Sequence, residues 1–308
     1  MNSKKSAPII LLSLIVISFP LFIRNEYFIH MAMVIGLAII YGLGFNLLYG
    51  YCGQISFGHA AWYAIGAYTS ALLEVRLGMP FWITFPIAIT FSGLVGFLLG
   101  LPILRLRHHY LGMATLGFGI VVEAVIVQWR ELTFGPVGIV DITVPSFFSV
   151  PLKGVSYYYT VVFFTVCAFI ITRNLLRSRF GRALMAIRDN EDAAPSLGIN
   201  PLLYKSAALG ISGLYAGLAG VLYAHLHLYI GPECFSLPLS VDVVMITVVG
   251  GLGTLIGPVI GGFIISLLPE FLYRFVDYHL AIYAFILLMF LLFMPKGIAG
   301  TLEKGRKS

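Results

Sequence analysis

The chain has 308 residues, of which 59% are hydrophobic and 10% charged, with a formal net charge of +6. Soluble domains carry about 25% charged residues, so this composition excludes a water-coated globule and makes the bilayer the solvent for most of the exterior. Lys and Arg gather in short segments between apolar runs, as at membrane faces, and no aromatic-interleaved basic patch points to nucleic acid.

A helix that crosses a bilayer needs about 20 mainly apolar residues. Lys4 and Lys5 precede the first run, 8–23, which closes on Ser18-Phe19-Pro20 without a small-x-small cleavage pattern. It reads as a retained helix rather than a signal peptide. Further spans are predicted at 28–48, 55–73, 81–104, 110–129, 157–172 and 204–226, and the last apolar stretch divides into 235–250, 255–272 and 280–294. The expectation is one all-α, polytopic membrane domain over 1–308 with about ten transmembrane helices. With the N-terminus in the cytoplasm, ten spans leave only Arg24, Arg76, Arg130, Lys153 and Arg274 outside, and the other fourteen of the 19 basic residues inside. Nine spans would turn the basic tail Lys304-Gly305-Arg306-Lys307 outward, against the positive-inside rule. Both termini are therefore predicted cytoplasmic.

Two spans are interrupted by glycine. One break is Gly50-Tyr51-Cys52-Gly53-Gln54, before the third span, and the other is Gly250-Gly251-Leu252-Gly253-Thr254, after the short eighth. Irregular backbone at membrane depth is tolerated only inside protein or beside a water-filled cavity, and such paired breaks point to a substrate path. Gly53, Gln54, Ser56, Gly58, His59, Gly250, Gly251 and Gly253 are the candidate path residues. A plainer reading stands beside this one: Gly253, Gly257 and Gly261, four apart, suit close helix packing.

Few charges fall inside the spans. Glu123 lies within the fifth, where it either pairs with a donor from a neighbouring helix, the preferred reading, or lines the path. Asp242 begins the eighth span near the outer face and joins the path candidates. His59 reads first as a hydrogen bonder in helix packing, and His225 and His227, two apart, read as interfacial. Tyr157, Tyr158 and Tyr159 suit an aromatic belt. Cys52, Cys167 and Cys234 have neither disulfide nor metal-ligand spacing, and no paired catalytic residues or metal-binding set is found. The chain is read as no enzyme, without a cofactor.

The loop 173–203 is too polar to span, yet Leu184, Ile187 and Leu197 recur along it. Residues 183–188 read as a short amphipathic helix preceded by Gly181, and Asp189, Asn190 and Glu191 suit the entry to a second turn. On composition alone this is an ordinary basic loop that fixes topology. Its sequence, however, resembles the coupling loop of ABC importer permeases, with Glu191-Asp192-Ala193-Ala194 followed by Gly198. The longer run Arg177-Ser178-Arg179-Phe180-Gly181-Arg182-Ala183-Leu184, with Leu197-Gly198-Ile199-Asn200, is similar to the branched-chain amino acid permeases, M-type subunit. So are Gly53-Gln54-Ile55-Ser56-Phe57-Gly58-His59-Ala60, Gly66-Ala67-Tyr68, Ala216-Gly217-Leu218-Ala219-Gly220, and Gly250 to Thr254 with Gly257-Pro258. Pro195 departs from the pattern, and is expected to shorten or kink the second coupling helix.

The resemblance, to type II importer permeases, implies half of a pathway for leucine, isoleucine or valine in a bacterial inner membrane. It implies a paralogous permease, two cytoplasmic ATPase subunits, and a periplasmic or lipid-anchored binding protein that does most of the choosing. Gly181, Arg182, Leu184, Ile187, Arg188, Asp189, Glu191, Ala193, Ala194 and Gly198 become the candidate ATPase-coupling residues, with Leu184 and Ile187 as an apolar anchor for the partner. Consistently, no Gly-x-x-x-x-Gly-Lys-Ser/Thr phosphate loop occurs, so any ATP is bound by another chain. A urea or short-amide importer permease shares the same motifs, and a gradient-driven transporter using Glu123 or Asp242 is the alternative of another class.

Overall fold

The structure is a computed structural model that describes residues 19–20, 25–106, 109–147, 150–272, 285, 288–289 and 297–304. The predicted spans 8–23 and 280–294, and the basic residues at 305–308, fall mostly outside them. The other eight predicted spans each meet a helix. Among the described residues, six stretches are long and apolar enough to cross a membrane: Glu26–Tyr51, Phe81–Ile103, His109–Gln128, Val155–Arg177, Pro201–His227 and Pro232–Gly250.

Helix α1 (Glu26–Asn46) starts where the Asn25 side chain accepts from the Tyr27 amide, and it ends in a wide turn, Leu47–Tyr51, with i→i+5 bonding. Next come α2 (Ala60–Leu77), α3 (Phe81–Ile103) and α4 (His109–Gln128). The third span is thus shifted against its sequence-based bounds, because residues 53–59 are irregular and the helix runs on to Gly78. A one-turn helix α5 (Arg130–Thr133) opens a loop carrying a two-residue hairpin, β1 (Ser146–Phe147) with β2 (Val150–Pro151), Ser146 facing Pro151. The chain continues through α6 (Val155–Arg177), α7 (Arg179–Asp189), α8 (Pro201–His227), α9 (Leu237–Gly250), α10 (Gly257–Leu272) and α11 (Gly297–Lys304).

Helix α8 is the axis of the bundle, packed on α1, α2 and α3. Its buried faces are lined by small residues, among them Gly210, Gly213, Ala216, Gly217, Ala219 and Gly220. A Cβ at Gly220 would collide with the Tyr63 carbonyl, and one at Gly66 with Gly217. In a bilayer, where burying apolar surface against a neighbour gains little over lipid, such close backbone approach supplies the van der Waals contact that holds helices together. The same device joins α9 to α10, where Gly261 meets the Ile246 carbonyl and Gly257 the Gly251 carbonyl. Gly257 and Gly261 therefore serve packing, whereas Gly253 belongs to the turn between those helices. Among the described residues, α4 is the least enclosed long helix, with Tyr110, Met113, Ile120, Val121 and Val125 exposed.

Candidate functional site

The loop between α6 and α8 is built rather than floppy. Ser178 caps α7, its hydroxyl accepting from the Phe180 and Gly181 amides at 3.1 and 3.5 Å. Gly181 therefore sits in the first turn of α7 rather than before it, and a Cβ there would lie 2.5 Å from Leu176 Cα. The glycine allows α7 to fold back tightly on α6. Leu184 and Ile187 are 0% and 2% exposed. The anchor expected of them toward a partner is corrected: both side chains are turned into this chain's own core and fix α7 to the bundle. Arg182 is exposed and donates to the Arg177 carbonyl at 3.0 Å, and Asp189 is exposed.

After α7, the Asn190 side chain accepts from the Asp192 and Ala193 amides at 3.1 and 3.0 Å and starts the second turn. That turn is a four-residue 3-10 helix, Ala194–Leu197, short as expected, although Pro195 stands in its first turn, where a missing amide costs nothing. Gly198 closes it at φ +74°, in the left-handed region that favours glycine. Ala194 is buried and Ala193 exposed, and Leu197 stands 73% exposed at the tip. Glu191 turns back to Lys205 at the start of α8, 2.7 Å away, with side-chain exposures of 29% and 3%. Glu191 thus ties the loop to α8 instead of offering an unpaired charge.

The two glycine breaks meet at the same end of the bundle. The Asn46 side chain accepts from the Gly253 amide at 2.9 Å and donates to the Thr254 carbonyl at 2.8 Å. From α7, Arg188 Nη1 donates to the Gly50 carbonyl at 2.5 Å. Gly53, at φ +75°, lies under the Arg188 stem, and Gly253, at φ +72°, lies under its guanidinium. Gly250 is buried against α10, and Gly251 faces Ala299 of α11. Cys52 is fully buried here, and burial pushes its thiol up to about 12, with the Lys205 charge working the other way.

From Gly53 the backbone runs irregularly into the bundle. Gln54 is half-buried and donates to the Cys52 carbonyl at 3.3 Å. The Phe57 amide donates to Thr115 Oγ1 at 3.1 Å, Gly58 lies against the Thr115 carbonyl, and the Ala60 amide donates to Ser240 Oγ at 2.9 Å. His59 is fully buried between Tyr41 and Phe45, its Nε2 3.0 Å from Ser212 Oγ. Yet Ser56 Oγ, His59 Nδ1, Tyr41 OH and Trp62 Nε1 are buried without hydrogen-bond partners among the described residues. Each such group costs about 1–3 kcal/mol, so this segment concentrates polar strain. Asp242 is half-buried in α9, within electrostatic reach of Tyr41. Glu123 is half-buried in α4, and the donor expected from a neighbouring helix is not found among the described residues.

At the far end of α8 lies a site that the sequence reading missed. Glu74, in the last turn of α2, is buried with His225 Nε2 2.7 Å from Oε1. Thr84 Oγ1 donates to Oε1 at 2.9 Å, and Thr143 Oγ1 to Oε2 at 2.8 Å. His225 Nδ1 faces the Val221 carbonyl at 2.7 Å and so must carry a proton. The short Nε2–Oε1 contact needs a second proton between the two, which leaves the pair neutral overall. His225, read as interfacial, is thus a buried residue two positions before the end of α8. The available signal was an acid placed four residues after Ser70 within an apolar helix.

Residues 27–294 match the family described as "Branched-chain amino acid transport system / permease component". The chain is 32% identical to the high-affinity branched-chain amino acid transport system permease protein LivM of Salmonella typhimurium, over 93% of this chain and 73% of that protein. It is 31% identical to the Escherichia coli protein of the same name, over 96% and 75%. Identity to the E. coli permease protein LivH is 26%, over 85% of this chain and 90% of that one. No solved structure matches.

Proposed function

The chain belongs to the branched-chain amino acid transport system permease family, and from that premise we propose that it forms half of an ATP-driven import pathway for leucine, isoleucine or valine. A paralogous permease supplies the other half, two cytoplasmic ATPase subunits drive it, and a binding protein delivers the substrate. The reading includes ten spans with both termini and α7 on the cytoplasmic side of an inner membrane.

The observation that supports coupling to ATPases is the turn after α7. It is short, closed by Gly198 and joined through α7 to α6 and directly to α8, and it presents Leu197 beside exposed Asp189, Asp192 and Ala193. An exposed apolar tip ringed by polar groups suits a groove on a soluble partner. Purification of the tagged chain from its own cells tests this: ATPase subunits co-purify, and Leu197→Asp reduces their yield about tenfold or more. Full transport by the chain reconstituted alone would refute it.

Glu123 supports a path along α4. An acid facing lipid costs about 2.5–3.5 kcal/mol, and no partner for it exists among the described residues. A surface shared with the second permease gives it water or the substrate ammonium instead. On this reading Glu123→Gln raises the KM for uptake, and an unchanged KM removes it from the path.

A further inference from the structure

The breaks at 50–54 and 250–254 are far apart in sequence, and α7 is a third, separate element. Both breaks and α7 meet at the Arg188 side chain, and the two breaks meet again at Asn46. The wide turn at the end of α1 leaves terminal carbonyls to satisfy. Two are met locally, by the Gly53 amide on Tyr49 O and the Gln54 amide on Leu48 O, at 3.1 and 3.0 Å. The third, Gly50 O, is met by Arg188 at 2.5 Å. A cation on the last carbonyls is also favoured by the helix dipole, so Arg188 acts as a C-terminal cap lent to α1 by another helix.

Arg188 is exposed at its outer side, but its stem and head lie against both breaks. Its planar guanidinium holds five donors in fixed geometry. A Cβ on Gly253 would lie 2.7 Å from Nη1, and one on Gly53 would lie 3.3 Å from Cγ. Each break is thus shaped to the arginine, the one along its stem and the other along its head. A Cβ on Gly50 would lie 2.6 Å from the Gly253 amide nitrogen, so the two breaks touch backbone to backbone, and the two Asn46 hydrogen bonds fasten them. Meanwhile α7 is held by buried Leu184 and Ile187, and by Glu191 on Lys205.

We propose that Arg188 is the positioning residue through which displacement of α7 reaches both broken segments at once, with Asn46 locking them into a single moving corner. This rests on the coupling role proposed above and adds the inward half of the linkage. Arg188 serves transmission within this chain and does not bind the ATPase. Opening of the path then follows α7 because the end of α1 and the α9–α10 turn are pulled by one side chain.

The test uses the complete importer in proteoliposomes, with binding protein and ATPase subunits, and reads substrate taken up per ATP hydrolysed. A hydrogen bond to a charged group shifts an equilibrium by about tenfold to a hundredfold. Arg188→Ala is therefore expected to lower that ratio about tenfold or more, with ATPase subunits still co-purifying. Arg188→Lys, which keeps the cation but not the fork, restores part of it. Asn46→Ala, which leaves α7 untouched, lowers it as well. A wild-type ratio in both Arg188→Ala and Asn46→Ala overturns the proposal. So does loss of ATPase subunits from Arg188→Ala alone, since Arg188 would then face the partner. If Arg188→Ala fails to accumulate, Arg188→Lys and Asn46→Ala decide by the same ratio. Failure of the wild-type chain to retain ATPase subunits would instead overturn the coupling role itself.

Discussion

Helix α8 carries an acid–base contact at each end, and the two are built differently. At its start Lys205 meets Glu191 with the acid 29% exposed; some 30 Å on, at about 1.5 Å per residue, His225 meets Glu74 with both side chains at 1% exposure or less. The far pair is closed off, sits among Thr84 and Thr143, and joins α2, α3, α8 and the loop before β1 through side chains alone. The near pair lies beside a corner made from backbone carbonyls, glycines and one arginine. A dry, fully bonded network resists change because every partner left behind is costly. A half-hydrated corner can trade its contacts for water. The far end therefore reads as the fixed end of α8, and the near end as the end that moves.

The largest effect that would sharpen this contrast is at Glu74. Glu74→Ala strands His225 and two hydroxyls in the interior, and breaking a buried pair costs about 3–5 kcal/mol. A steep fall in the thermal unfolding temperature of the purified chain is expected, with Glu74→Gln milder because the amide still bonds its neighbours. An unchanged unfolding temperature in Glu74→Ala would break the contrast at once. Next in size is Gly220→Val, whose added methyls would meet the Tyr63 carbonyl; overpacking of this kind costs about 1–3 kcal/mol, visible in the same melt.

Glu191→Ala leaves the 3% exposed Lys205 without its carboxylate, and is expected to cost less than Glu74→Ala because water can reach the vacated Glu191 side. Its main effect should appear in uptake, the reverse of the Glu74 pattern. Equal loss of stability at both ends would erase the distinction between fixed and moving ends. The smallest effect concerns Cys52. With its thiol pushed up to about 12, the reactive thiolate is scarce at pH 8 and increases about tenfold per pH unit until that value is passed. Maleimide should label Cys52 far more slowly than a cysteine placed at exposed Ser196, and comparable rates would show that the near corner opens readily on its own.

Much of this was legible in the sequence. Apolar length located eight helices, and the glycine runs marked both breaks. The second turn is short as expected, but it is Gly198 in the left-handed region that ends it, not Pro195 in its first turn. What escaped was direction and distance. The alternation in 183–188 shows that one face of α7 is apolar, but the same pattern serves a face turned to a partner or to the chain's own core, and Leu184 and Ile187 took the second course. Glu74 escaped because the predicted span stopped at 73, and because Thr143 and His225 lie 69 and 151 residues away from it. Nothing in local periodicity links such positions. Arg188 read as a coupling residue turned toward the ATPase, since only the folded chain brings Gly50 and Gly253 beneath it.

The central claim is that the chain passes branched-chain amino acids when ATPases move its α7 end. The direct measurement is uptake of labelled leucine into proteoliposomes holding the chain, its paralogous permease, the ATPase subunits and the binding protein. The account predicts uptake that requires ATP, persists when proton and sodium gradients are collapsed by ionophores, and is competed by isoleucine and valine but not by urea. Uptake that continues without ATP and stops when a gradient is collapsed would contradict it.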